Sequence, residues 1–140
     1  LKPCAYSTVW NVRHGRDGAN YLDMKLIQRS SDFLVAGCIN QMQYLALMQM
    51  VAQATGYQPG TFSWDLQNVQ IYDRHITQAV EQLRREPITC DDGVHREPYL
   101  ELNPDVHDFY DFTLDDISVK NYPRQLIKKL NPQQKFDKGI

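Results

Sequence analysis

The sequence predicts an α+β domain, and three observations carry that expectation. Residues alternate in character along 7–12 and 21–27, apolar residues recur at three- and four-residue spacing over 39–55, and the elements follow one another without a regular strand-helix-strand alternation.

In the first two segments the alternation is the period-two signature of half-buried strands, with Leu22, Met24 and Leu26 set against Asp23 and Lys25. The polar, glycine-containing stretch 15–20 between them reads as a turn. Over 39–55, Met42, Leu45, Met48, Val51 and Ala52 form one helical face, and Leu47, Met50 and Ala54 widen it almost all round. That is the pattern of a buried helix, stopped at Gly56. The segment 61–72 is rich in aromatic and β-branched residues and reads as one strand, with an unusually polar middle at Asp65-Leu66-Gln67-Asn68. Ile76, Ala79, Val80 and Leu83 then mark an amphipathic surface helix over 73–86, closed by Pro87. Short strands are expected at 99–103 and 117–119.

The chain has 140 residues, of which 42% are hydrophobic and 23% charged, ordinary values for one globular domain. A formal net charge of -2 gives no basic field for a nucleic-acid backbone, so a small nucleotide is expected rather than a long nucleic acid. No stretch matches a membrane span or a signal peptide, and the expected location is cytoplasmic. Leu1 stands where a start methionine would, which suggests a piece of a longer protein. Cys4, Cys38 and Cys90 are an odd number without a Cys-x-x-Cys pair, against both a disulfide framework and a zinc ribbon. His14, His75, His95 and His107 lack paired metal-ligand spacing, so solvent-facing or capping roles are expected and no metal is called for.

Four motifs occur in order: Leu1-Lys2-Pro3-Cys4 before a strand, Gln28-Arg29-Ser30-Ser31-Asp32 closing the next, Asn40 opening the long helix, and Asn68-x-Gln70-x-Tyr72 closing a third strand. Gly56-x-x-Pro59-Gly60 and Arg85-Glu86-Pro87 follow in their places. As an ordered set these resemble the C-terminal half of thymidylate synthase over residues 1–122, with 123–140 a divergent tail expected to be mobile unless something orders it. The resemblance implies a mixed sheet with a buried central helix, and reductive methylation of dUMP to dTMP with 5,10-methylenetetrahydrofolate as methylene and hydride donor.

It also implies roles. Cys4 matches the nucleophile that adds to C6 of the uracil ring, although a cysteine chosen blind is more often a small buried hydrophobe. The sulfur must act as a thiolate, which a nearby guanidinium favours, and Arg29 is the candidate. Arg29, Ser30 and Ser31 match the dUMP-binding segment, where a planar fork of donors and a hydroxyl suit phosphate oxygens; a surface ion pair is the commoner fate of arginine. Asp32 matches a residue that meets both pyrimidine and folate, with a capping role as the alternative. Asn40 offers the donor and acceptor that O4 and N3–H of uracil need, and N-capping the helix is a compatible alternative.

Asn68, Gln70 and Tyr72 alternate, so they are expected on one strand face, and the resemblance implies that Gln70 and Tyr72 meet the ribose hydroxyl. The family pattern is Asp, His and Tyr at these places, and Gln70 cannot titrate near neutral pH. Ala5 replaces a histidine after the nucleophile, and Ala36-Gly37-Cys38-Ile39 replaces Gly-Leu-Pro-Phe. The resemblance further implies a homodimer and an N-terminal half carrying a relay glutamate and more phosphate-binding arginines. Without that half the chain is expected to be nearly inactive. Two other readings stay open: a pyrimidine nucleotide hydroxymethylase, and a nucleotide-binding or dimer-forming module without chemistry.

Overall fold

The fold is taken from a computed structural model that describes residues 3–85 and 98–122. The expected tail at 123–140, the Glu86-Pro87 helix stop, Cys90 and His95 lie outside the described residues.

Two strands open the chain, β1 (Ala5–His14) and β2 (Asn20–Gln28), paired antiparallel. The turn between them closes through the Gly15 N–H to the Ala19 carbonyl at 2.8 Å, with Gly18 in the left-handed region at φ 83°. Asp17 holds the turn by accepting the Ala19 N–H and the Tyr21 hydroxyl. On β2 the alternation works as expected: Leu22, Met24 and Leu26 are buried, while Asp23 and Ile27 are half-buried and Lys25 exposed. Each such buried side chain stabilises the fold by about 1.5–3 kcal/mol relative to exposure.

Helix α1 (Cys38–Thr55) packs against β2 and against β4 (Gln58–Leu66), which pairs parallel with β2. The sheet order is therefore β1-β2-β4, mixed in direction, and β2-α1-β4 is a strand-helix-strand unit that the sequence did not suggest. Met48 and Ala52, one turn apart, are the fully buried residues of α1. The helix is apolar on other sides too, and there Ile39 is 65% and Met42 59% exposed. Its sheet-facing stripe is buried, whereas its opposite flank is open. Gly56 ends the helix in the left-handed conformation at φ 74°, and the Tyr57 N–H returns to the Ala52 carbonyl at 2.9 Å.

One bulge shapes the β2–β4 pair. Between Leu22 and Met24, β4 advances three residues to two, from Pro59 to Phe62. Asp23 fills the gap by accepting the Thr61 N–H at 2.7 Å and the Arg13 guanidinium at 3.1 Å. These two contacts, the Thr61 amide first, hold its carboxyl below the usual carboxylate range. A Cβ at Gly60 would collide with the Asp23 carboxylate and the Leu22 carbonyl, so the close approach needs glycine.

The expected single strand over 61–72 is instead broken. β4 stops at Leu66, Gln67 and Asn68 bend out, and β5 (Val69–Gln70) resumes beside β3 (Ser31–Asp32). The register survives the gap, since Gln28 faces Leu66 and Ser31 faces Val69. Both strands are interrupted over the same two rungs, Arg29-Ser30 opposite Gln67-Asn68.

Helix α2 (Ile76–Arg84) follows a short turn at Asp73–His75. It matches the expected amphipathic helix, though no residue on it is fully buried. His75 is not solvent-facing, being 1% exposed; it stands at the N-cap position of α2, where its side chain makes no cap hydrogen bond. His14 and His107 are exposed as expected. Strands β6 (Tyr99–Leu102) and β7 (Ile117–Lys120) pair antiparallel, and the Gln53 amide ties α1 to the loop after β6 through the carbonyls of Asn103 and Val106.

Candidate active site

Cys4 lies one residue before β1, next to a bulge at Tyr6 where the pairing shifts from Ala5–Gln28 to Ser7–Ile27. The Arg29 N–H donates to the Cys4 carbonyl at 2.9 Å, extending the ladder past the end of β2. The Arg29 Nε–H reaches the Pro3 carbonyl at 3.3 Å, and the Ser30 hydroxyl donates to Cys4 Sγ at 3.4 Å. Cys4 thus meets Arg29 and Ser30, far from it in sequence, in the gap between the end of β2 and the start of β3.

Bordering the interruption is Gln28, a polar residue at the inward-facing position of β2 and only 1% exposed. Its amide nitrogen donates to the Ser30 carbonyl at 2.8 Å, and its oxygen accepts the Trp64 indole N–H at 3.1 Å. Neither Gln28 nor Trp64 was assigned a role from the sequence. The signal was there for Gln28, because a carboxamide in the series Leu22, Met24, Leu26, Gln28 breaks the apolar pattern.

One rung further on, Ser31 is 4% exposed and its Oγ has no hydrogen bond. The buried Oδ1 of Asp32 has none either. Two adjacent buried oxygens without partners cost stability, on the order of 1–3 kcal/mol each, unless a ligand completes them. Asp32 precedes the next helical turn but makes no side-chain cap there, so the capping alternative is not realised.

A wide helical turn at Phe33–Gly37 runs without a break into α1. Asn40 consequently sits in the first turn of α1 proper and not at its start. The preceding Gly37 holds the cap position with a helical φ of -56°, and no side chain caps the helix. N-capping is therefore excluded as the reason for Asn40. Its side chain takes no part in the bonds that join Cys4, Arg29 and Ser30.

Asn68, Gln70 and Tyr72 do not share a strand face, because β5 holds only Val69 and Gln70. The Asn68 carbonyl accepts the Ser31 N–H at 2.9 Å, and Gln70 is the register partner of Asp32. Tyr72 lies beyond the strand with its ring under the Arg74 guanidinium, 4.7 Å from the centroid, and edge-on to His75 at 6.1 Å. All three residues are exposed. Among the described residues no group of three or more His, Cys, Asp or Glu could hold a metal, and no helix is long and apolar enough to cross a membrane. A cavity between the C-terminal end of α1 and β6, about 490 Å³, is lined by Gln53, Tyr57, Tyr99 and Leu102 and contains none of these candidate residues.

The cluster can perform nucleophilic addition beside an anion: a thiol, a hydroxyl on its sulfur, and an arginine on the adjoining rung. The model of the thymidylate synthase family matches residues 1–131. The thymidylate synthase of Streptococcus pneumoniae (strain ATCC 700669 / Spain 23F-1) is 43% identical over 141 residues, an alignment covering 100% of this chain and 46% of that protein. That of Streptococcus sanguinis (strain SK36) is similar to the same degree. Among solved structures, the thermostable thymidylate synthase A from Bacillus subtilis superposes with a TM-score of 0.75 at 38% identity, covering 87% of this chain and 40% of that one. The chain belongs to the thymidylate synthase family. It spans about half the length of the curated relatives it matches.

Proposed function

We propose that this chain is the C-terminal part of a thymidylate synthase and that the intact enzyme converts dUMP to dTMP by reductive methylation. The observation that carries the reading is the meeting of Cys4, Arg29 and Ser30 at the strand interruption, with the Ser30 hydroxyl 3.4 Å from Cys4 Sγ. The Cys4 thiolate adds to C6 of the pyrimidine, and the C5–C6 electron pair moves toward C5 and O4. Later elimination of the sulfur restores the ring double bond. Arg29 and Ser30 hold the dUMP phosphate, Ser31 belongs to the same dUMP-binding segment, Asn40 pairs with the O4 and N3–H edge, and Gln70 and Tyr72 meet the ribose hydroxyl.

The orphaned Oδ1 of Asp32 fits a reduced folate, whose pterin offers N–H donors to a buried carboxylate. When bound, 5,10-methylenetetrahydrofolate supplies the one-carbon unit and the hydride. Gln70 donates to or accepts from a hydroxyl but moves no proton near neutral pH, so proton transfer falls to other groups.

The remaining acid–base groups lie in the N-terminal half, which also covers the open flank of α1 around Ile39 and Met42. The open face of the sheet, where Val9 on β1 is 54% exposed, is covered in a homodimer. The enzyme works in the cytoplasm. Release of tritium from 5-tritiated dUMP in the presence of methylenetetrahydrofolate tests the assignment, with full-length enzyme carrying Cys4→Ser as the control.

A further inference from the structure

Trp64 touches both arms of the candidate site without belonging to either. Its register partner on β2 is Leu26, so Gln28 is its diagonal neighbour on the same face of the sheet. The indole N–H donates to the Gln28 oxygen at 3.1 Å, and the ring stacks on Phe33 with centroids 6.3 Å apart and planes 28° from parallel. Phe33 directly follows Asp32 in the chain, and Gln28 directly precedes Arg29.

The chemistry of the contact has a direction. An indole N–H can only donate, whereas a carboxamide presents an acceptor at one end and donors at the other. With Trp64 bound to the oxygen, the nitrogen of Gln28 must face the Ser30 carbonyl, where it donates at 2.8 Å. A reversed amide would set N–H against N–H on one side and oxygen against oxygen on the other, at a site that is 1% exposed.

We propose that Trp64 is a positioning residue: its indole N–H orients the Gln28 amide, which holds the Ser30 peptide in the strand interruption and so aims the Ser30 hydroxyl at Cys4 Sγ. The consequence for dUMP rests on the functional reading of Arg29 and Ser30 given above. The consequence for Cys4 does not, because it concerns a contact within the protein.

Trp64→Phe keeps an aromatic ring against Phe33 and removes the N–H together with part of the indole's bulk, so the cycle with Gln28→Met is what separates the hydrogen bond from packing. The first measurement is the rate of alkylation by iodoacetamide in the full chain without nucleotide, mapped by mass spectrometry to Cys4, with exposed Cys38 as internal reference. Losing one oriented hydrogen bond is expected to change the Cys4 rate by roughly three- to tenfold, while Cys38 stays within about twofold. The second is a double-substitution cycle: with Gln28→Met already present, Trp64→Phe should add nothing. The third uses the full-length enzyme, where KM for dUMP should rise more than kcat falls.

An unchanged Cys4 rate in Trp64→Phe overturns the proposal, as does an additive effect in the Gln28→Met background. If Gln28→Met does not fold, the single substitution and the KM measurement decide. A full-length parent without turnover of dUMP, together with a Trp64-dependent Cys4 rate, would refute the functional reading and leave the positioning role standing.

Discussion

The Ser30 hydroxyl meets Cys4 Sγ at 3.4 Å across 26 positions of sequence, and the Arg29 amide holds the Cys4 carbonyl from the neighbouring position. The pairing fixes the sulfur at the end of the sheet. In the intact enzyme, a 5-fluoro analogue of dUMP given with methylenetetrahydrofolate should therefore become covalently attached at Cys4, because fluorine blocks proton loss from C5. Peptide mass spectrometry reads the position. Attachment at Cys38 or Cys90, or no attachment at all, refutes Cys4 as the nucleophile.

Asn40 occupies the first turn of α1 without capping it, which separates recognition from stability at this residue. Asn40→Asp should shift preference from dUMP toward dCMP by ~10-fold or more, as a carboxylate accepts from an exocyclic amine and faces no donor on O4. Thermal stability should change by no more than about 0.5 kcal/mol, since Asn40 caps no helix end. Steady-state kinetics with both nucleotides checks the first statement and a melting curve the second. An unchanged preference would remove Asn40 from the pyrimidine site.

Gly60 faces the Asp23 carboxylate and the Leu22 carbonyl with no room for a methyl group. Gly60→Ala should destabilise the fold by about 2–3 kcal/mol, because the bulge must shift and its hydrogen bonds with it. Urea denaturation of the chain gives the value. A loss under ~0.5 kcal/mol would show that the bulge yields freely.

Acid should weaken the same region. Asp23 is held below its ordinary value of 3.8 by the Thr61 amide and then by Arg13. Asp17 is lowered first by the Tyr21 hydroxyl, and Asp116 first by the Asn103 amide. A carboxylate with a depressed folded value contributes stability above its unfolded value and loses it as pH falls through the folded one. The urea midpoint should thus hold steady down to about pH 4 and decline below it, and Asp23→Asn should flatten the decline. A midpoint independent of pH, or an unaltered slope in Asp23→Asn, contradicts this account.

Much of this fold was legible because one face of β2 is buried: Leu22, Met24 and Leu26 could only be read as inward. The family resemblance was legible for a different reason, since its motifs are local strings that survive even where the surrounding geometry is not foreseen. The break at Gln67-Asn68 was not foreseen, because it follows from a parallel partner 38 positions away that is interrupted at the same rungs. The helical turn at Phe33–Gly37 carried neither a proline nor a capping side chain to mark its start, so periodicity located the helix only from residue 39. The link from Trp64 through Gln28 to Ser30 depends on which end of an amide faces which neighbour, and no spacing rule encodes that.

In the function proposed above, these residues supply the nucleophile and part of the nucleotide site of a thymidylate synthase, while the acid–base groups lie in its other half. Tritium release from 5-tritiated dUMP with methylenetetrahydrofolate tests it most directly. This chain alone should stay near background, because proton transfers that contribute ~10²- to 10⁴-fold lack their groups. Release should rise when the N-terminal half is supplied, in one chain or as a separate polypeptide, and should vanish again with Cys4→Ser. Sustained release by this chain alone, or release that survives Cys4→Ser in the completed enzyme, would contradict the account.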